Sequence, residues 1–310
     1  MAAVASIKTI TAKVLWKLGL YDSARRLLEY SRKSAARLRS EWLLAKGIDS
    51  YLEVARSQAL LGQVPEGLPD ARWRSAWWRF KGAPDRLQIP SGELLYTIAG
   101  TPNVKWFLHG GRLGGKSIHE VMLKNGVDLA SIKRVLDLGC GCGRVIRHLG
   151  FFEGAELVGT DYNPKLIEWC QANLAFGHFD INELDPPLKY ADGSFDFIYA
   201  LSVFTHLTER LQLLWMKELK RVIRPGGYLL VTLHGTFYFN RLTPFEQEQF
   251  QKGELVVKDA GSAGSNYCAA FHPESYVREK MTDGFEVLDH IPEGARGNPW
   301  QDLYLLRKKS

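Results

Sequence analysis

The feature that most constrains this chain is a run of alternating glycines directly after an apolar stretch. Residues 135–145 read VLDLGCGCGRV. The apolar start predicts a buried strand, and the glycines predict a tight turn that leads into a helix N-terminus. Gly139, Gly141 and Gly143 have no Cβ, so the backbone can bend sharply there and approach a ligand closely. The free N–H groups expected at a helix start favour an anionic group. The stretch therefore predicts a cofactor-binding turn.

The glycine spacing and the acid in the stretch indicate which cofactor the turn binds. A dinucleotide fingerprint needs G-x-G-x-x-G, but here the third glycine comes one position early. Asp137 would also repel a pyrophosphate, whereas it suits a cationic amino group. This D-x-G-x-G-x-G turn resembles the first motif of the class I S-adenosylmethionine-dependent methyltransferases. The resemblance implies S-adenosylmethionine as the cofactor and methyl transfer as the activity.

Strand and helix signals alternate after the turn, as they do in that family. Further strands are predicted at 157–161, 179–182, 195–201, 228–234, 285–291 and 301–307, with helices after Asn163, over 209–223 and over 274–281. Residues 93–310 are thus expected to form a Rossmann-like, seven-stranded, mostly parallel sheet with an antiparallel last strand, interrupted by an insertion at about 237–272. Residues 1–92 are expected to form a helical N-terminal extension and a linker.

Three segments before the glycine turn also carry local signals. Residues 93–100 have the apolar character of a short strand or extended segment. The glycines of Gly110–Gly115 suggest a mobile lid. Ser117, with Glu120 three residues later, has the spacing of a capping box and predicts a helix that runs to about Asn125.

The net charge of +6 belongs to the N-terminus. Residues 1–46 hold ten Lys or Arg and three Asp or Glu, which leaves 30 basic and 31 acidic residues in the rest of the chain. The helical, basic pattern of this segment has two interpretations: a helical hairpin that packs on the main domain or on a second subunit, which we favour, or an amphipathic helix on an anionic membrane surface. The interleaved aromatic and basic residues 72–81 favour a packed linker over a ligand-stacking site.

Cysteine usage and hydropathy suggest a cytoplasmic protein. The four cysteines contain no C-x-x-C pair, so neither a disulfide framework nor a zinc site is expected. No uninterrupted apolar run of about 18 residues occurs, and the N-terminus lacks the apolar core of a secretory signal. We therefore expect a protein that is neither exported nor membrane-spanning.

Several residues are candidates for cofactor binding. Asp161 closes the second strand 22 residues after Gly139, the interval at which a carboxylate accepts the ribose hydroxyls. The family resemblance implies that Tyr162 lines the adenine pocket and that Asn182 or Asp180 meets the adenine amino group. The predicted cofactor-binding residues are Asp137, Gly139, Cys140, Gly141, Asp161, Tyr162, Asn163, Asn182, Leu201 and Ser202.

Methyl transfer to a hydroxyl requires alignment and a base. His206 follows the fourth strand, where active sites of parallel sheets lie, and an ordinary pKa near 6.5 suits proton abstraction at neutral pH. A structural histidine is the equally weighted alternative, and His234 and His272 are the other candidate bases. No metal is predicted, because the histidines lack ligand spacing such as H-x-x-x-H.

The substrate is expected to be a small molecule or a glycan. The Phe204–His206 turn and the tail Gly294–Asp302 resemble bacterial methyltransferases encoded near or fused to glycosyltransferases. O-methylation of a sugar, a polysaccharide end or a small hydroxylated metabolite is the leading hypothesis, with N- or C-methylation of a small molecule and a non-catalytic cofactor-binding module as alternatives. A nucleic-acid substrate is disfavoured by the near-neutral charge after residue 46 and by the absence of N-P-P-Y after strand four. The oligomeric state is not predicted.

Overall fold

Seven strands pair into one sheet in the computed structural model, which describes residues 85–298 and 300–310. They are β1 (Arg134–Leu138), β2 (Glu156–Asp161), β3 (His178–Ile181), β4 (Phe195–Ala200), β5 (Ile223–Leu233), β8 (Phe285–Ile291) and β9 (Asp302–Lys308). Their order is β3-β2-β1-β4-β5-β9-β8. The pairs from β3 to β5 are parallel, whereas β9 is antiparallel to both β5 and β8. The predicted Rossmann-like sheet with an antiparallel last strand is confirmed.

Two of the described helices precede β1, and the others lie between strands along the chain. They are α1 (Gly92–Ala99), α2 (Gly111–Lys124), α3 (Pro164–Asn173), α4 (Glu209–Val222), α5 (Pro244–Gln251) and α6 (Glu274–Tyr276). Helix α3 begins as predicted, since the Asn163 side chain accepts a hydrogen bond from the Lys165 N–H and Pro164 stands at the first helical position. Thr208 stands at the N-cap of α4, but its hydroxyl makes no capping hydrogen bond.

The central strands are buried on both faces, as parallel strands in α/β proteins are. Leu136 on β1, Ile198 on β4 and Leu229 on β5 have no solvent exposure and belong to one core cluster with the apolar face of α4. All the parallel strands end at the same edge of the sheet. The residues that follow β1, β2, β3 and β4 are therefore neighbours in space.

The insertion that was predicted at 237–272 contains a small sheet of its own. Strands β6 (Val256–Lys258) and β7 (Ala269–Phe271) pair antiparallel and share an apolar cluster with α5 and the short helical segment Thr236–Arg241. A single bridge joins Phe271 to His234 at the end of β5. The insertion thereby returns to the edge of the main sheet at which β5 ends.

Residues 93–100 form a helix, so the predicted strand is wrong. The Ser91 hydroxyl accepts a hydrogen bond from the Leu94 N–H at the start of α1, and Gly100 ends the helix in the left-handed conformation with φ of 63°. A serine N-cap before the apolar run was the local signal for a helix, and it outweighed the strand-like composition of the run.

The glycines of Gly110–Gly115 belong to a helix and not to a lid, because α2 begins at Gly111. A Cβ on Gly111 would lie 1.9 Å from the carbonyl oxygen of Arg144, so glycine is required for α2 to pack against the segment after the glycine turn. Ser117 lies in the middle of this helix, so the predicted capping box is also wrong. Its hydroxyl accepts a hydrogen bond from the Arg296 N–H at 3.3 Å.

The predictions for the basic segment 1–46, the aromatic segment 72–81 and most of the extension 1–92 fall outside the described residues and stay predictions. Of the described residues, those within 90–102 and 106–310 belong to one unit. None of the helices described between residues 85 and 310 has the length and apolar character needed to span a bilayer.

Candidate functional site

A cavity of about 630 Å³ lies at the edge of the sheet where the parallel strands end. The loops after β1, β2, β3 and β4 supply its floor, and α1 and the insertion supply further walls. Every predicted cofactor-binding residue lines it, namely Asp137, Gly139, Cys140, Gly141, Asp161, Tyr162, Asn163, Asn182, Leu201 and Ser202. The topology therefore brings together residues that are widely separated in the sequence.

The glycine turn is anchored to the end of β2. The N–H groups of Gly139 and Cys140 both donate to the Thr160 carbonyl oxygen, at 2.8 and 2.9 Å, and Gly141 donates to Asp161 Oδ2 at 2.9 Å. Gly139 and Gly141 adopt φ of 74° and 55°, which favours glycine. These three N–H groups are therefore not available to a phosphate, which argues against a dinucleotide.

The predicted helix N-terminus after the turn is wrong. The chain makes turns through Val145 and then one short 3₁₀ segment, Ile146–His148. The close approach of α2 at Gly111 occupies the space beside this segment. Attraction of an anion by a helix start therefore plays no part at the glycine turn.

Asp161 links β2 to the glycine turn. Its Oδ2 accepts the Gly141 N–H and its Oδ1 accepts the Asn163 N–H, each at 2.9 Å. Burial raises the pKa of this carboxyl, while the backbone donors act in the opposite direction. Each carboxylate oxygen has a second lone pair, so the pair of oxygens can still accept two hydroxyl groups of a ribose.

Asp137 is a buried carboxyl in the wall of the cavity, with 4% exposure. Burial raises the pKa of Asp137 to about 7, although the neighbouring Tyr199 hydroxyl and the Arg144 guanidinium lower it. A cation placed beside the carboxyl would favour its ionised form. The site is thus suited to a ligand that carries an ammonium group.

Asn182 and not Asp180 faces the cavity. The Asn182 amide nitrogen donates to the Glu183 carbonyl at 2.7 Å, and its Oδ1 is buried with no partner among the residues that the structure describes. Asp180 accepts hydrogen bonds from Lys189 and Tyr190 and does not line the cavity. Asn182 therefore offers the free acceptor that an adenine amino group needs.

His206 lies on a short helical turn, Phe204–His206, and lines the cavity. Its Nδ1 lies 2.7 Å from the carbonyl oxygen of Cys268. A carbonyl can only accept, so Nδ1 carries the proton and Nε2 holds the basic lone pair. Burial lowers the pKa of His206 below its ordinary value, which keeps the ring neutral at pH 7. This is the protonation state of a general base.

The other two candidate histidines do not line the cavity. His234 Nδ1 lies 3.1 Å from the Ala270 carbonyl, and burial lowers the pKa of His234 to about 4. His272 is buried, with its Nε2 3.0 Å from Gln212 Oε1, and burial lowers its pKa to about 3. Gln212 in turn donates to the Phe204 and Leu207 carbonyls, so His272 supports the turn that carries His206.

Comparison with known proteins agrees with this geometry. A methyltransferase domain family model matches residues 136–231. The chain is 26% identical to the sterol 24-C-methyltransferase ERG6A of Gibberella zeae over 191 residues, 59% of this chain and 47% of the relative. It is 32% identical to the methyltransferase GfsG of Streptomyces halstedii over 111 residues (34% and 39%), and 33% identical to the chloroplastic tocopherol O-methyltransferase of Arabidopsis thaliana over 107 residues (32% and 30%).

Residues 136–231 thus match a methyltransferase domain, and the chain is similar to S-adenosylmethionine-dependent methyltransferases. It spans less than half the length of these three curated relatives. Among solved structures, a SAM-dependent methyltransferase from Methanosarcina mazei is 21% identical with a TM-score of 0.46, over 61% of this chain and 97% of that one.

Two residues of the cavity, Gln301 and Arg144, are not among the site residues predicted from the sequence. Gln301, directly before β9, lines the cavity and donates to Ser202 Oγ at 2.8 Å, while its Oε1 accepts from Thr232 at 2.7 Å. Ser202 has φ of 61°, unusual for a residue with a side chain, and the Thr232 hydroxyl also accepts its N–H. The tail Gly294–Asp302 was noticed as a family resemblance, but no local pattern showed that it reaches the cavity.

Arg144 is the second missed element, and it follows the glycine turn directly. Its guanidinium lies 4.5 Å from the centre of the Trp106 ring and donates to the carbonyl oxygen of Gly297 at 3.2 Å and to the side-chain oxygen of Asn298. Burial lowers the pKa of Arg144 to about 10, so it remains charged at pH 7. Within 85–298 and 300–310, no group of three His, Cys, Asp or Glu side chains is arranged to hold a metal.

Proposed function

We propose that this chain is an O-methyltransferase that uses His206 to deprotonate a hydroxyl group on a sugar, a polysaccharide end or another small hydroxylated molecule. The observation that carries the proposal is the orientation of His206. Its Nδ1–H is held by the Cys268 carbonyl, and its ring lines the cofactor cavity with Nε2 as the free base. A base is needed for a hydroxyl acceptor, whose proton must leave as the new bond forms.

The residues of the cavity fit S-adenosylmethionine at both ends. Asp161 would hold the ribose hydroxyls, the unpartnered Asn182 Oδ1 would accept from the adenine amino group, and Asp137 would pair with the ammonium group. When bound, this cofactor supplies a methyl group activated by a sulfonium. Tyr162 extends the adenine side and donates to the Gly264 carbonyl at 2.8 Å, which ties the insertion to this end of the cavity.

The chain's own contribution to the reaction is alignment and one proton transfer. His206 Nε2 would accept the hydroxyl proton when the methyl group passes from the sulfonium sulfur to the substrate oxygen. S-adenosylhomocysteine would be the other product, and the imidazolium would release the proton to solvent. Ser202 and Gln301 hold the strand ends beside it, since Gln301 joins Ser202 to Thr232 on β5. The lowered pKa of His206 favours rapid return to the neutral ring.

The walls around His206 support an acceptor with an apolar or ring-shaped body. Val203, Leu207 and Trp215 line the cavity near His206, and the exposed Tyr96 and Tyr267 lie at its border. Aromatic side chains suit the faces of sugars and of other ring systems. The name of the tocopherol O-methyltransferase is compatible with transfer to oxygen, whereas that of the sterol 24-C-methyltransferase specifies carbon.

The test is a transfer screen with S-adenosylmethionine labelled in the methyl group. Wild type and His206→Ala are incubated with monosaccharides, oligosaccharides, phenols, amines and RNA. We expect labelled methyl ethers from wild type and a large loss for the variant. Transfer confined to amines or RNA, or an undiminished rate for the variant, would contradict the proposal.

A further inference from the structure

The loop between β8 and β9 is bound to the cofactor turn through Arg144. Residues 292–298 of this loop pack against the N-terminal part of α2, where a Cβ on Gly297 would lie 2.3 Å from the Gly110 carbonyl oxygen. The Arg144 guanidinium donates to the carbonyl oxygen of Gly297 and to the side-chain oxygen of Asn298. The loop is therefore held in one position beside the glycine turn.

The contact with Arg144 determines how the Asn298 side chain is oriented. A guanidinium has donors and no acceptor, so the carbonyl oxygen of the Asn298 amide must face it. The amide nitrogen, Nδ2, consequently points away from Arg144. Asn298 is 4% exposed and lines the cavity, and its Nδ2 has no hydrogen-bond partner within residues 85–298 and 300–310.

A buried N–H group without a partner is costly and indicates that a ligand completes it. The missing group is an acceptor, and the neighbouring guanidinium favours a negative charge. Asp137, which interacts electrostatically with Arg144, lines the same cavity and suits an ammonium group. An acid beside a guanidinium and an amide donor is the complement of an amino acid, which carries an ammonium and a carboxylate on one carbon.

We infer that Asn298, oriented by Arg144, binds the α-carboxylate of the cofactor's amino-acid end while Asp137 binds its ammonium group. The inference rests on the proposed function for the identity of the cofactor. It assigns the β8–β9 loop a direct part in cofactor selection. A methyl donor without the carboxylate would leave the Asn298 amide unpaired.

The experiment compares two ligands and an isosteric variant by isothermal titration calorimetry. S-adenosylmethionine and its decarboxylated form share the adenosine, the sulfonium and the ammonium. Asn298→Asp keeps an oxygen for Arg144 but replaces the Nδ2 donor by a second oxygen. We expect wild type to bind S-adenosylmethionine about tenfold or more tightly than the decarboxylated form, because one hydrogen bond to a charged group contributes that much to affinity. The variant should bind the two ligands with similar affinity.

The matched control is Asn182→Asp, which places the same new charge at the adenine end of the same cavity. Because both ligands carry adenine, we expect this control to change both affinities by a similar factor and to keep the preference. Thermal unfolding without ligand checks that each variant is folded.

The outcomes separate the two proposals. If wild type binds neither ligand, the proposed function fails. If wild type binds both ligands and Asn298→Asp leaves their affinity ratio unchanged, the carboxylate assignment is wrong while the proposed function stands. A ratio that shifts equally in Asn182→Asp would also overturn the assignment, because the effect would then be one of charge in the cavity as a whole.

Discussion

The two ends of the cavity are built in different ways. The adenosine end comes from consecutive strand ends, with the glycine turn after β1, Asp161 after β2 and Asn182 after β3. The transfer end combines His206 after β4 with the Cys268 carbonyl of the insertion and with Gln301 after the β8–β9 loop. The first end depends on local sequence and the second on long-range contacts. The insertion contacts both ends, because its Cys268 carbonyl holds His206 and its Gly264 carbonyl accepts from Tyr162 at the adenine side.

The ionisable groups follow the same division. Burial raises the pKa of Asp137 to about 7 and raises that of Asp161, so a cation beside Asp137 and hydroxyl donors on Asp161 would both favour the charged carboxylates. Burial lowers the pKa values of His206 and His234, so the histidines of the transfer side stay neutral. One end is prepared to bind hydroxyls and a cation, and the other to accept a proton.

Removal of the base gives the sharpest distinction between the two ends. We expect His206→Ala to lower kcat by about 10² to 10⁴-fold, the usual contribution of a general base. The affinity for S-adenosylhomocysteine should change less than about threefold, because the adenosine end is untouched. Steady-state kinetics and calorimetry measure the two effects. If kcat and the affinity for S-adenosylhomocysteine fell by the same factor, His206 would not act at the transfer end alone.

Asp161→Ala should have the opposite profile. Loss of a charged acceptor for two hydroxyls, and of the anchor for the Gly141 N–H, is expected to weaken S-adenosylhomocysteine binding by at least about 100-fold. Asp180→Ala, on the adjacent strand β3, is the matched control, because that carboxylate is engaged by Lys189 and Tyr190. Comparable losses in both variants would refute the assignment of Asp161 to the ribose.

The adenine contact predicts a smaller effect. Asn182→Leu is expected to weaken S-adenosylhomocysteine by about three- to tenfold, the value of one hydrogen bond. The inosine analogue has an oxygen in place of the amino group. Wild type should bind it more weakly than S-adenosylhomocysteine, whereas the variant should bind the two ligands with equal affinity. A preference that survives in the variant would assign the amino group to another residue.

The pH dependence should be the mildest effect. His206 acts in its neutral form, so the rate falls as pH drops through its pKa, which burial places below the ordinary value of 6.5. With saturating substrates, kcat at pH 6.5 should therefore remain above about half of its value at pH 8. A midpoint above pH 7 would show that His206 is not held neutral as described.

The difference between the two ends also explains which site residues could be predicted from the sequence. Asp137, the glycines and Asp161 are recognisable because their chemistry is tied to spacing along consecutive strands. Arg144, Asn298 and Gln301 carry no such spacing. Arg144 meets Gly297 and Asn298 of the β8–β9 loop, and Gln301 meets Ser202 after β4. The prediction of a lid at the glycines of α2 is wrong because glycine is typical both of flexible loops and of helices that pack closely against a neighbour.

The tautomer of His206 marks the limit of sequence reasoning in the same way. The histidine itself is visible after strand four, but the Cys268 carbonyl that fixes its proton on Nδ1 lies in the insertion. Likewise, the support that His272 gives to the His206 turn through Gln212 needs the folded chain to be seen. The sequence therefore identified His206 as a candidate base, but it could not show which ring nitrogen carries the proton.

The most direct test of the account is a titration of S-adenosylhomocysteine into the full chain, with NAD⁺ as the comparison ligand. We predict saturable binding of S-adenosylhomocysteine at one site per chain and no binding of NAD⁺. Binding of NAD⁺ that S-adenosylhomocysteine cannot displace, or no binding of S-adenosylhomocysteine, would contradict it.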